Sequence, residues 1–223
     1  MVFSFIHDQT FYRIRNKTLL TAMKVEIKNI ELKDVKLASE LLSRNFVSDK
    51  GVMILFKENN KNYTQKVNQW FKATLKMLID NNQIIKCAFG GDELVGVSIV
   101  THTSYKPSIL SLLKWSYSVF MTCGLKTVRQ SAKHDNFRKK LFTDNNQLIL
   151  EFIAVNNEHR GKGIGKKLFE NLDALANSKN ASVWLETTNN NNIEIFNKMG
   201  FHLIDTKNES SVKYYIMTNE KSA

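Results

Sequence analysis

The chain carries a single proline, Pro107, and only nine glycines in 223 residues. So few breakers exclude a loop-rich or low-complexity scaffold and favour long regular elements. Cysteine is equally scarce: Cys87 and Cys123 have no motif spacing, which excludes a disulfide framework and a cysteine-based zinc module. Both read as reduced thiols, as expected of a cytoplasmic protein. The five histidines are scattered without ligand spacing, so no metal is expected. Long apolar runs are missing as well. The longest candidate, Ile109 to Met121, is interrupted by Lys114 and three serines and is too short to span a bilayer.

Acidic residues are outnumbered, 21 against 32 lysines and arginines, and the net charge is +11. Such a balance suits nucleic acid, an anionic membrane or an anionic cofactor. The densest cluster is Lys126, Arg129, Lys133, Arg138, Lys139 and Lys140, opposed only by Asp135. It lacks the interleaved aromatic platforms on which single strands stack. Nucleic acid is therefore not expected as a partner, and without a span neither is a membrane.

What remains is an ordinary globular chain, 43% apolar and 24% charged, long enough for one sizeable core. Residues 1–22 read as an N-terminal extension of little structure, and residues 23–223 as one domain, a monomer or homodimer. Lys24 to Ile30 alternates as a first strand. Asp34 is placed to cap a helix with Val35, Ala38, Leu41, Leu42 and Phe46 on its apolar face. A second helix carries Val67, Trp70, Phe71, Leu75, Leu78 and Ile79 on one side. Ile84–Phe89 and Leu94–Thr101 form a hairpin about Gly90-Gly91-Asp92-Glu93. Residues 104–146 follow as a helical insertion, with Leu110, Leu113, Tyr117 and Phe120 as its apolar face.

Leu148 to Val155 is an apolar run broken by one acid, Glu151, and reads as a central strand buried on both faces. A helix from about Gly163 to Asn177 follows, with Ile164, Leu168, Phe169, Leu172 and Leu175 on its buried stripe. After it come a strand (Val183–Thr187), a short helix (Ile193–Lys198) and two closing strands near His202–Thr206 and Val212–Thr218. Strands with interposed helices give a mixed α/β sheet.

Between the central strand and its helix stands Asn156-Asn157-Glu158-His159-Arg160-Gly161-Lys162-Gly163-Ile164-Gly165-Lys166-Lys167. Glycines there allow successive N–H groups to converge on a phosphate, and the helix start adds its positive end. A dinucleotide fingerprint would need glycine where Lys166 or Leu168 stands, and a Walker loop would need Gly-Lys-Ser/Thr. Neither is present. The pattern Arg160-x-x-Gly163-x-Gly165 instead resembles the acyl-CoA pyrophosphate loop of the GNAT N-acetyltransferase superfamily. The following Val183-Trp184-Leu185-Glu186-Thr187-Thr188-Asn189 and Asn192-Ile193-Glu194-Ile195-Phe196-Asn197-Lys198-Met199-Gly200-Phe201 fit that family's order. The Leu-Glu-Thr run and the insertion resemble, more narrowly, its puromycin N-acetyltransferase-like branch.

The resemblance implies a GNAT fold: a mixed, mostly antiparallel sheet whose central strands splay, flanked by helices. It implies acetyl-CoA as cosubstrate and a primary amine of a small molecule as acceptor. The main chain of Ile153, Ala154 and Val155 would pair with the pantetheine arm. Arg160, Gly161, Lys162, Gly163, Ile164, Gly165 and Lys166 would hold the pyrophosphate, and Asn189 or Asn192 the arm. Glu151, the lone acid of its strand, is the candidate base, since a buried unpaired carboxylate is costly and poised to take up a proton. Phe196 stands where many relatives place a tyrosine that protonates the leaving thiolate, so either solvent or a hydroxyl of a closing strand (Tyr214, the candidate donor, or Tyr215) takes that part, or the thiolate leaves unprotonated. Alternatives are a protein acetyltransferase, or a CoA-binding regulatory module without turnover.

Overall fold

The computed structural model describes residues 24–56, 62–142 and 147–220. The expected N-terminal extension, residues 1–22, lies outside them. Seven strands form one sheet: β1 (Val25–Asn29), β2 (Ile84–Gly90), β3 (Glu93–His102), β4 (Gln147–Val155), β5 (Ser182–Thr187), β6 (His202–Glu209) and β7 (Val212–Thr218). Their order is β1-β2-β3-β4-β5-β7-β6. Every neighbouring pair is antiparallel except β4 and β5. The hairpin turn between β2 and β3 needs a left-handed residue, and Gly91 provides it at φ +64°.

Helices cover both faces. On one lie α1 (Val35–Phe46), the single turn α2 (Lys50–Met53) and α3 (Tyr63–Asp80). Phe46, Trp70 and Phe71 of α1 and α3 meet Phe152 of β4 edge to face, ring centroids 5.1–6.2 Å apart. On the other face α6 (Ile164–Lys179) and α7 (Asn191–Asn197) pack Ile164, Leu168, Phe169 and Phe196 against Leu150, Ile153 and Val155. Gly96 of β3 permits this approach. A Cβ there would stand 3.1 Å from both Ile164 Cγ2 and Leu168 Cδ1.

Two local expectations are corrected. Asp34 does not cap α1. Its backbone is already helical, and its carboxylate accepts from Glu31 N–H at 2.9 Å in a reciprocal capping box closing a 3₁₀ turn over Leu32–Asp34. The insertion contains two helices, α4 (Ile109–Cys123) and α5 (Leu125–Arg138), and α4 buries the opposite side from the one expected. Ser111, Trp115, Val119 and Cys123 face inward, while Leu110, Leu113, Tyr117 and Phe120 are exposed. The helix is apolar on both sides, and hydrogen bonds decide between them. Trp115 Nε1 donates to Thr74 Oγ1 at 3.1 Å, and Asn81 Nδ2 donates to Ser111 Oγ at 2.7 Å. Both cysteines are free and buried.

Candidate active site

The sheet parts at its centre. The parallel β4–β5 ladder runs through Gln147↔Ser182, Leu148↔Val183, Ile149↔Trp184 and Leu150↔Leu185, and ends there among the described residues. On its other edge β4 stays paired with β3 as far as Gly96↔Val155. From Glu151 to Val155, then, the edge of β4 facing β5 offers main-chain donors and acceptors to an extended arm. Ile153, Ala154 and Val155 lie on this stretch.

At the far end of β4, Asn156 anchors the loop: its Nδ2 donates to Glu93 Oε1 at 3.1 Å and its N–H to Val95 O at 2.9 Å. Gly161 and Gly163 hold φ +75° and +79°, conformations that L side chains rarely adopt, and a Cβ on either would point into open space. That combination exposes backbone N–H groups toward a cradle at the start of α6, where the first-turn amides of Ile164, Gly165 and Lys166 have no intrahelical partner. Lys162 and Lys166 are exposed beside it. Arg160 reaches across to α1, donating from Nη2 to Asn45 Oδ1 at 2.7 Å. The residues therefore fit a pyrophosphate.

Asn189 and Asn192 are brought to the end of β5 by short local bonds. Asn189 Oδ1 accepts from Asn191 N–H at 3.0 Å, and Asn192 Nδ2 donates to Thr187 Oγ1 at 2.9 Å. Phe196 is wholly buried in a ring cluster with Phe169 and Phe201, centroids 5.8–6.0 Å apart.

Glu151 occupies a special position twice over. It is the first residue of β4 past the last β4–β5 rung. It is also the extra residue of a β-bulge, since Ile99 pairs with Phe152 and Val100 with Leu150. Bulges re-aim side chains. Here the carboxylate is turned to the sheet face opposite α6, but it is not the unpaired acid expected from the sequence. Thr101 Oγ1 donates to Glu151 Oε1 at 2.5 Å, and Arg138 Nη1 lies 2.8 Å from Oε2. Arg138 comes from α5, and its Nε also stands 2.8 Å from Glu186 Oε1 on β5. One turn earlier on the same helix, His134 places Nδ1 2.6 Å from Glu209 Oε2 and Nε2 3.7 Å from Glu186 Oε1. Tyr214 completes the series, its hydroxyl donating to Glu209 at 3.4 Å.

Tyr214 stands at the far end of this series from Glu151. It is fully buried, against the rings of His134 and Phe137, and is connected to Glu151 through Glu209, His134, Glu186 and Arg138. Burial and the carboxylates of Glu186 and Glu209 push its phenol well up, so it stays protonated. Burial opposes charge on Glu186, yet Arg138 and His134 hold its carboxyl well below the usual range. Burial likewise opposes a proton on His134, but its bonds to Glu186 and Glu209 outweigh this and raise it. Tyr105, where β3 leads into α4, buries its hydroxyl with no hydrogen-bond partner among the described residues. Burial, then Glu151 and Asp135, push that phenol up to about 12.

Sequence reasoning missed Arg138, His134, Glu186, Glu209 and Thr101. In the sequence Arg138 is one of six basic residues from Lys126 to Lys140, and its neighbours mask it. A signal existed in the four-residue spacing of His134 and Arg138, which puts both on one side of a helix.

The model of the acetyltransferase (GNAT) family matches residues 55–201, and the chain belongs to that family. It is an acetyl-CoA-dependent acetyltransferase. No curated protein sequence matches it. Among solved structures, it is similar to the histone acetyltransferase HPA2 and related acetyltransferase from Corynebacterium glutamicum, with TM-score 0.67 and 15% identity over 90% of this chain and 98% of that one. The PaiA N-acetyltransferase from Thermoplasma acidophilum, solved in complex with coenzyme A, matches at TM-score 0.55 and 14% identity, over 89% and 100% of the two chains. Arylalkylamine N-acetyltransferase 2 from Aedes aegypti matches at 0.54 and 18%, over 87% and 97%. At these identities the likeness is one of fold, and it agrees with the expected mixed, splayed sheet.

Proposed function

We propose that the chain transfers the acetyl group of acetyl-CoA to a primary amine of a small molecule, as in the puromycin-acetyltransferase-like branch that its Leu185-Glu186-Thr187 run and its insertion resemble. The observation that carries this reading is α5. It crosses the face of the splay opposite α6 and sets Arg138 and His134 down on Glu151 and Glu186. A covered acceptor side suits a small amine better than a protein segment. Three carboxylates (Glu151, Glu186, Glu209) meet two cations when His134 is protonated, a residual negative charge that favours an ammonium ion.

Acetyl-CoA supplies an activated thioester, whose carbonyl carbon accepts the amine nitrogen as the C–S bond breaks and the thiolate leaves. Glu151 takes the proton the nitrogen loses, directly or through one water. Arg138 and Thr101 fix its carboxylate, and Tyr214 positions His134 through Glu209. The open edge of β4 and the loop from Arg160 to Lys166 orient the cosubstrate, with Asn189 and Asn192 beside the arm and Phe196 as its apolar floor.

A thiol-release assay over polyamines, arylalkylamines, aminoglycosides and lysine peptides tests the reading. Turnover on one small-amine class should exceed peptide turnover by tenfold or more in kcat/KM. Turnover confined to peptides would move the acceptor to proteins. Tight acetyl-CoA binding without thiol release from any amine would make the chain a binding module.

A further inference from the structure

The acceptor-side insertion carries a second surface that acetyl transfer does not use. On α4, Ile109, Leu113 and Tyr117 are 80%, 61% and 68% exposed, and Leu110, Phe120 and Met121 are exposed beside them. These residues form one helix face, directly opposite the face that Trp115, Val119 and Cys123 bury against the core. A solvated apolar face of this length, bearing two aromatics, is the usual mark of a docking site.

Charge selects the occupant. From Leu94 through His134 the sequence contains no acidic residue but five cations: Lys106, Lys114, Lys126, Arg129 and Lys133. Lys106, Lys114 and Lys126 are exposed before, within and just after α4, and Arg129 and Lys133 are exposed along α5. A second copy of this chain would bring like charges face to face. An apolar face flanked by lysine and arginine on its own helix and along the next complements an anionic bilayer surface instead. Apolar side chains enter the acyl boundary while ammonium and guanidinium groups meet the headgroups.

We propose that α4 docks the enzyme on anionic membranes, lying in the plane of the interface with Leu110, Leu113, Tyr117 and Phe120 toward the lipid. No helix among the described residues is long and apolar enough to cross a membrane. The proposal concerns surface attachment, which the lack of a span leaves open. Because α5 continues from α4 through Gly124 and carries Arg138 and His134, the docked face adjoins the element that covers the acceptor side.

The test is co-sedimentation of the full chain with phosphatidylcholine vesicles, with and without phosphatidylserine. Binding should require phosphatidylserine at low salt and weaken as salt rises. Leu113→Glu with Tyr117→Glu should lower partitioning by at least about tenfold, as loss of buried apolar side chains implies. Lys114→Glu and Lys126→Glu should each lower it by about fivefold or more. All four positions are exposed, so melting temperature and turnover on a soluble amine should stay as in wild type. No binding to phosphatidylserine vesicles would overturn the proposal. So would binding that the Leu113/Tyr117 variant retains, since the basic surface alone would then explain it. Concentration-dependent dimers abolished by that same variant would give the face to a second copy.

Discussion

The two sides of the splay are built from different materials. On the side proposed for the cosubstrate the groups on offer are backbone: a strand edge open beyond the last rung, left-handed glycines and the first amides of α6. On the side proposed for the acceptor they are side chains, with α5 lowering two cations onto carboxylates from three strands. Backbone recognition tolerates little change of residue type where φ is positive but needs few buried charges. The side-chain network buries several and depends on each partner. A lesion on one side should therefore read out in binding, and on the other in stability and turnover.

The strongest attempt to break this contrast is Glu151→Gln. The amide keeps its size, and its oxygen can still accept from Arg138 while its NH2 donates to the Thr101 hydroxyl, so the fold should survive. Removal of a general base should lower kcat by about 10²- to 10⁴-fold, with acetyl-CoA affinity nearly unchanged and part of the activity recovered at high pH. Activity within about threefold of wild type in well-folded protein would reduce Glu151 to a structural partner of Arg138.

Arg138→Met should damage the fold itself. Glu186 would be left buried without its arginine, a loss of about 3–5 kcal/mol read as a lower melting temperature. A melting temperature equal to wild type would show that His134 alone suffices for Glu186.

On the other side, saturating acetyl-CoA at about 100 times Kd should stabilise the wild-type fold by roughly 2.7 kcal/mol. Gly165→Glu should abolish that shift. Gly165 is the cleaner probe than Gly163: it has no left-handed φ, and its Cβ would meet only Val155 Cγ2 at 3.8 Å. The unliganded variant should melt as wild type. A retained shift would refute the loop's role.

A subtler contrast lies in pH. His134 is raised above its ordinary 6.5, so its contribution is complete below that value and is lost as pH rises through the folded one. Glu186 is lowered, so its contribution holds above the ordinary carboxylate range and fades only as pH falls through its folded value. Stability should accordingly be greatest in weak acid and decline above neutrality. His134→Gln should remove the decline at high pH. The smallest effect expected is that of starting the chain at Met23, which should leave folding, acetyl-CoA binding and turnover as they are. Loss of soluble protein would show that residues 1–22 are needed.

Legibility divides along the same line. The succession of strands, β4, the glycine loop and α6 were readable because glycine spacing and an apolar run broken by a single acid are local signals. The candidate base was readable as the one acid in that run. Its surroundings were not. Glu186 and Glu209 reach Arg138 and His134 from strands distant in sequence, and Lys133, Lys139 and Lys140 hide Arg138 among residues of the same charge. Asp34 failed as a predicted cap because Glu31, three residues upstream, competes for its carboxylate. On α4 the apolar spacing fits either side, and the buried one was settled by Thr74 and Asn81, which lie in α3 and at its end.

The short β4–β5 ladder has a mechanical consequence. Among the described residues the ladder between the leaf β1-β2-β3-β4 and the leaf β5-β7-β6 has only four rungs, and on one face α5 bolts the leaves together, Arg138 spanning Glu151 and Glu186 across the seam. Under force, or in rare thermal openings, the molecule should divide along this line before either leaf frays. Amides of β5, β7 and β6 would then exchange as one cooperative unit, earlier than those of β3. A ligand inserted between the leaves could close the seam from the other face, so the protein would be hardest to pull apart with acetyl-CoA bound.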